Sequence, residues 1–216
     1  MVTILPTTTD SACRCRPLWS GQDLVGGAGM GFTGELVFGR SDRPLLRAPV
    51  FGGAQEDDAG GITSWRPRPG GWQTWQFHRT LPGDPDHVLR ALVEWTGAPA
   101  CIASVHDSDV ALVVGLEPGG ERWDAWLNLK TAAAMTDRPL PELAAHVTDD
   151  AAGALSWARS AGFGENVAAA TIEATLHSHD PFAEELFDAL LNHLGFPPAP
   201  APGTATGGLS AGASVR

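Results

Sequence analysis

The sequence predicts an α+β domain, with an antiparallel sheet of about five strands, helices on one face of it and a helical C-terminal third. Three observations carry that prediction. Short apolar runs separated by turn residues dominate positions 34–128, one well-punctuated helical segment interrupts them near position 90, and helical spacing takes over from position 149 to 196.

The strand candidates are residues 34–40, 72–79, 100–105, 110–117 and 122–128. Short connections join the last three, which makes them antiparallel neighbours. Ahead of these three, Asp84-Pro85 supplies an N-cap and a first-turn proline. Val88, Leu89, Leu92 and Val93 then recur at helical spacing, and Gly97 with Pro99 ends the segment. The last helix is punctuated in the same way. Asp180-Pro181 opens it, and Phe182, Leu186, Phe187, Leu190, Leu191 and Leu194 form its apolar face. Gly195 lets Phe196 fold back on Leu191, and Pro197 ends the domain. Asp149 or Asp150 is expected to cap a third helix running through Leu155, Trp157, Ala158 and Ala161 to Gly162, and a shorter helix spans 168–177. Residues 41–71, with SDRPLLRAP, GGAQEDDAGG and RPRPGG, read as a long surface loop, the kind of segment in which function tends to sit.

A chain of 216 residues, 43% apolar, fills one good core. Residues 1–30 and 197–216 lack apolar periodicity, so a poorly ordered N-terminal segment and a disordered Pro/Ala/Gly-rich tail are expected to flank a single domain at 31–196. The net charge is −11, and positions 31–196 hold 11 basic against 23 acidic side chains. Such a surface repels phosphate and anionic lipid at long range and attracts cationic partners, so neither nucleic acid nor membrane is an expected partner, whereas a basic protein surface is. Lys130 is the single lysine among 14 basic residues, and with the abundant alanine this matches the coding bias of a GC-rich bacterial genome. Cys13, Cys15 and Cys101 are an odd set with no disulfide framework, and Cys101 sits in an apolar strand as a small hydrophobe. The start, MVTILPTTTDSACRC, has no basic region followed by a long apolar one, so no signal peptide is expected, and no apolar run is long enough to span a membrane. The expected location is the cytoplasm.

Four places invite a chemical reading. In SVHDSDVALVVG (104–115), a tight turn centred on Asp107-Ser108 sets His106 and Asp109 across from one another. Aspartate and serine are ordinary turn formers, so turn closure is the favoured reading; a metal or catalytic corner made of His106, Asp107 and Asp109 and a partner-contact loop are the rivals. His177-Ser-His179-Asp180 has zinc-ligand chemistry, but HExxH occurs nowhere and Asp180 already serves as the expected cap, so a metal-free interhelix loop is favoured. Eight tryptophans occur with no tyrosine, and several adjoin arginines: Trp65 with Arg66 and Arg68, Trp72 and Trp75 before Arg79, Trp123 beside Arg122. Strand alternation puts Trp75 and Phe77 on one face and Trp72, Thr74 and Gln76 on the other. The residues Trp65, Arg66, Arg68 and Trp72 are the candidate binding set, as the wall of a groove, weighed against plain core packing. Finally, VGGAGMGF lacks the preceding strand and following helix of a dinucleotide loop, PGG at 118–120 is hairpin chemistry, and Cys13-Arg-Cys15 has no second ligand pair, so no cofactor is expected.

The preferred reading is a cytoplasmic, acidic, non-catalytic interaction or accessory protein that binds another macromolecule. Its rivals are a metal-dependent hydrolase using His106, Asp107 and Asp109, with His177 and His179 brought near by the fold, and a small-ligand binder with a groove walled by Trp65, Trp72 and Trp75.

Overall fold

The computed structural model describes residues 31–52, 62–78, 81–180, 182–196 and 198. The expected N-terminal segment, nearly all of the tail, the two N-terminal cysteines, most of GGAQEDDAGG, Arg79, Pro181 and Pro197 lie outside the described residues.

Six strands form one sheet: β1 (Gly34–Arg40), β2 (Ile62–Pro67), β3 (Trp72–Phe77), β4 (Ala100–His106), β5 (Val110–Leu116) and β6 (Arg122–Leu127). Their spatial order is β2-β3-β1-β4-β5-β6, and every neighbouring pair is antiparallel. Five are the strands read from the sequence, and the α+β class holds. The sixth, β2, lies inside the stretch read as a surface loop. That reading is corrected in a second respect: Leu45, Leu46, Ala48 and Phe51, carried on two short 3-10 turns, are buried. A six-residue edge strand ending in proline and a few leucines between prolines and arginines are too short to show a period of their own.

Pairing register sorts the strand residues onto two faces. Phe38, Cys101, Gly115 and Trp123 are successive cross-strand partners and point one way. Gly115 is needed there, because a Cβ atom would stand 2.1 Å from the Trp123 indole nitrogen. On this face lie α3 (Leu140–Ser160), α4 (Ala169–His177) and α5 (Ala183–His193). Trp123 meets Trp157 of α3 at 5.7 Å between ring centres, and Phe38 meets Phe196, just past α5, edge-on at 5.0 Å. The helical C-terminal third therefore occupies one face, and helices are not confined to it as expected, because the first helix in the chain covers the other. The other face, with Val37, Trp75, Ile102 and Val114, is covered by α1 (Pro85–Thr96), whose Val88, Leu89, Leu92 and Val93 are buried, and by Phe51, stacked on Phe77 at 5.4 Å. Arg122, on this second face, reaches Asp86 of α1 at 3.3 Å. Each of those α1 side chains contributes about 1.5–3 kcal/mol by leaving water, which is why the helix is placed by its stripe.

Local punctuation is right for α1 and partly wrong elsewhere. Asp84 caps α1 through its carboxylate, which accepts from the His87 amide at 2.8 Å, and Gly97 ends it. At the end of α5 the amides of Gly195 and Phe196 donate to the carbonyls of Asn192 and Leu191, the paired bonds of a Schellman turn, with Gly195 at φ 94°. Asp180 does not cap α5: the N-cap is Phe182, which makes no side-chain cap bond and is 49% exposed rather than part of the apolar face. The Ala183 amide is satisfied instead by the Ser108 carbonyl, 2.6 Å away on the β4–β5 turn, and Glu184 and Glu185 supply the first-turn negative charge. Asp149 and Asp150 lie inside α3, which starts at Leu140 behind Pro139. Its buried Leu143, Val147, Ala151, Ala154, Leu155 and Ala158 keep one stripe running through those aspartates, and a continuous stripe outweighs a local cap signal. A further helix, α2 (Leu129–Thr136), follows β6 directly and is not announced by the sequence.

Candidate functional site at the β2 edge

Among the described residues β2 is a terminal strand of the sheet, paired on one side with β3. Alternation along it sends Trp65 to the α1 side and Arg66 to the α5 side. Trp65 lies opposite Trp75, and their rings stack at 5.8 Å with 28° between planes. Trp75 is buried and its indole N–H donates to Gln73 Oε1 at 2.7 Å, so it is a fixed platform. Trp65 is 51% exposed on top of that platform, the most exposed of the large apolar side chains described.

The arginines on the opposite face of the same edge are tied to α5. Arg66 Nη1 bonds Asp188 Oδ2, and Arg68 Nη2 bonds Asp188 Oδ1 at 2.8 Å, while Arg68 Nη1 bonds Asn192 Oδ1 at 2.8 Å. The Arg68 side chain is only 1% exposed and stands over the Phe38 ring at 5.8 Å. One carboxylate thus serves two guanidiniums, clamping the sheet edge to a helix some 120 residues away in sequence. Burial pushes the Cys101 thiol well above its ordinary range, with nearby Arg68 working in the opposite direction, so this thiol is a packed apolar group rather than a nucleophile.

The four candidate binding residues therefore divide. The structure brings Trp65, Arg66 and Arg68 to one edge, and it places Trp72 inside, stacked on Phe38 at 5.1 Å and edge-on to Phe196 at 4.7 Å. Trp65, Trp72 and Trp75 do not wall a common groove, because register separates Trp72 from the other two and packing buries it.

The β4–β5 corner is a turn with unusual anchoring. Asp107 and Ser108 both take positive φ, 51° and 57°, and the Asp109 amide donates to the His106 carbonyl at 3.0 Å. His106 and Asp109 are not cross-strand partners as expected: the ladder sets His106 against Val110, leaving Asp109 as an extra residue in the turn. Ser108, read only as a turn former, is buried. Its hydroxyl oxygen accepts from the Phe32 amide at 2.7 Å and donates to Glu184 Oε1 at 2.8 Å. His177 ends α4, and His179 and Asp180 follow it, all exposed. Among the described residues no three His, Cys, Asp or Glu side chains are grouped to hold a metal ion.

One titratable group is missed by sequence reasoning. Glu35 lies on β1 opposite Ser104 of β4, and the Ser104 hydroxyl donates to its Oε2 at 2.7 Å. Burial raises its pKa from 4.5 to about 7, and the serine bond lowers it by less. The available signal was a lone carboxylate at an alternating position in the apolar strand GELVFGR.

Comparison with protein-family models, with curated proteins and with solved structures found no match for this chain. No helix among the described residues is long and apolar enough to cross a membrane.

Proposed function

We propose that this protein is an acidic, non-catalytic interaction protein of the cytoplasm that binds a basic surface on another protein, with Trp65 at the β2 edge as its anchor. The observation that carries the reading is the exposed indole held on a rigid Trp75 platform, on a strand that the arginine clamp fixes from the opposite face. Tryptophan is a side chain that concentrates binding energy at protein interfaces, and a pre-positioned ring loses little entropy on docking. An outer strand edge also offers backbone groups to a partner. Charge supplies the partner's chemistry: positions 81–196 carry 18 acidic side chains against five basic ones.

A photo-crosslinking amino acid in place of Pro67, exposed on β2 two residues from Trp65, with a second variant carrying it at Ala145 on the exposed side of α3, tests the proposal. The position-67 variant is expected to form one discrete adduct in cells. In extract, that adduct forms best at about 0.05 M salt and fades towards about 0.5 M, where charges are screened within a few ångströms. The adduct partner is expected to be a basic protein, and Ala145 gives none. An absent adduct, an acidic partner, or equal yield from both positions overturns the reading.

A further inference from the structure

Arginines in this protein fall into two groups. Arg66, Arg68, Arg122 and Arg138 each lie within ion-pair distance of a carboxylate. Arg40, Arg43, Arg47, Arg90 and Arg159 do not, among the described residues, and of these five Arg40 and Arg43 line one cleft at the end of β1. The cleft has a volume of about 400 Å³, and Ser41, Asp42, Trp95, Thr96, Gly97 and Ala98 complete its walls. That volume lies in the range of small-molecule sites.

The arginine-bearing wall is built rather than loose. Arg40 Nε donates to the Gly70 carbonyl at 3.1 Å, which anchors the side chain by one nitrogen. The backbone that carries Arg43 is fixed to β3: the buried Gln73 amide donates to the carbonyls of Ser41 and Arg43 at 3.1 and 2.9 Å, and the Arg43 amide donates to Ser41 Oγ at 3.1 Å. Opposite, Trp95 stands in the last turn of α1, and the Thr96 hydroxyl is committed to the Leu92 carbonyl at 2.8 Å. The wall thus offers two guanidinium forks and an indole.

We infer that the Arg40/Arg43/Trp95 cleft binds a small phosphate monoester carrying a flat ring. Two guanidiniums match the paired charge and several acceptor oxygens of a phosphate monoester better than the single charge of a carboxylate, and an indole wall gives a planar group its apolar contact. Asp42 and the carbonyl end of α1, which share the cleft, act against any anion, and the two guanidiniums outweigh them for a compact phosphate; a long polyanion is disfavoured because the acidic half of the chain repels extended phosphate backbones.

Adenosine monophosphate is the probe, with adenosine, inorganic phosphate and benzoate as comparison ligands, and the readouts are calorimetry and the indole N–H resonance of Trp95. Adenosine monophosphate is expected to bind at least about tenfold more tightly than any of the other three, since loss of the charged bonds or of the ring each removes at least about that much affinity. Arg43→Gln and Arg40→Gln each weaken it about tenfold by the same loss of a charged bond, while Trp95→Leu weakens it and leaves phosphate binding unchanged. Trp65→Ala leaves the affinity untouched, which separates this site from the protein-binding edge. Absence of binding at millimolar ligand, or affinity that survives Arg40→Gln and Arg43→Gln in a variant with unchanged circular dichroism, overturns the inference.

Discussion

The β4–β5 corner and the β2–α5 clamp are both clusters of charged and polar side chains, and they are built on opposite principles. At the corner, His106, Asp107, Ser108 and Asp109 are consecutive, and turn chemistry explains their types. In the clamp, Arg66 and Arg68 meet Asp188 and Asn192 from more than a hundred positions away, and nothing local about α5 announces it. The cluster that invited a chemical reading turns the chain, and the one that no local motif marks holds the sheet edge in place. Ser108 is the instructive exception within the corner, because its long-range bonds to Phe32 and Glu184 give it a second role that its neighbours lack.

If long-range polar contacts outweigh local ones, substitutions rank accordingly. Asp188→Ala breaks the ion pair of the buried Arg68 guanidinium and is expected to cost about 3–5 kcal/mol in urea unfolding, the penalty of removing one partner of a buried pair. Arg68→Met, which removes that charge and keeps most of the volume, is expected to cost less; the reverse ranking breaks the clamp argument.

Glu35 gives a signed pH effect. Its folded pKa, about 7, lies above its ordinary value, so the stability tied to its neutral form is fully present below about pH 4.5 and is lost as pH rises through 7. Glu35→Gln removes the cost of ionising a buried group and is expected to stabilise the fold by up to about 3 kcal/mol at high pH, since each tenfold change in proton affinity is worth about 1.4 kcal/mol. Unfolding at pH 5 and pH 9 should show the gain growing with pH. A gain of equal size at both ends contradicts burial of the carboxylate.

Ser108→Ala strands the Phe32 amide and one Glu184 oxygen, with an expected loss of about 2–3 kcal/mol by thermal and urea unfolding. Asp107→Ala at the neighbouring turn position is expected to cost less, and the reverse ranking breaks the contrast by placing the weight of the corner on its left-handed backbone.

The smallest contrast is between two aspartates that stand in the same Asp-Pro context. Asp84→Ala removes a cap bond and is expected to cost about 1 kcal/mol, whereas Asp180→Ala, exposed and outside the cap position, is expected to change stability by less than about 0.5 kcal/mol. Equal effects undo the claim that the Ser108 carbonyl has replaced the cap.

The strands β1, β3, β4, β5 and β6 and the helix α1 were legible because each has enough apolar residues in phase, and a stop signal at each end, to declare itself. β2 and α2 were not: the first is a short edge strand, and the second is eight residues rich in alanine with no cap bond. Of the candidate binding residues, Trp65, Arg66 and Arg68, singled out by the company they keep in sequence, lie at one strand edge, while Trp72 is inside because alternation says which side a residue faces and not what covers that side. Arg40, Arg43, Trp95 and Glu35 were passed over because their meaning lies in partners 30 to 69 positions away, or in the lack of a paired carboxylate.

By itself the sequence determined the class of the fold, the antiparallel run of β4 to β6, the ends of α1 and the Schellman close of α5, since each depends on hydrophobic period or on backbone geometry within a few residues. Only the tertiary structure decided which face α1 covers, why Asp180 is not a cap, that Asp188 holds two arginines, and that Glu35 sits beside Ser104. Those are meetings of residues far apart in the chain, and in the low dielectric of a packed interior such meetings set the energy of a polar group more strongly than its sequence neighbours do.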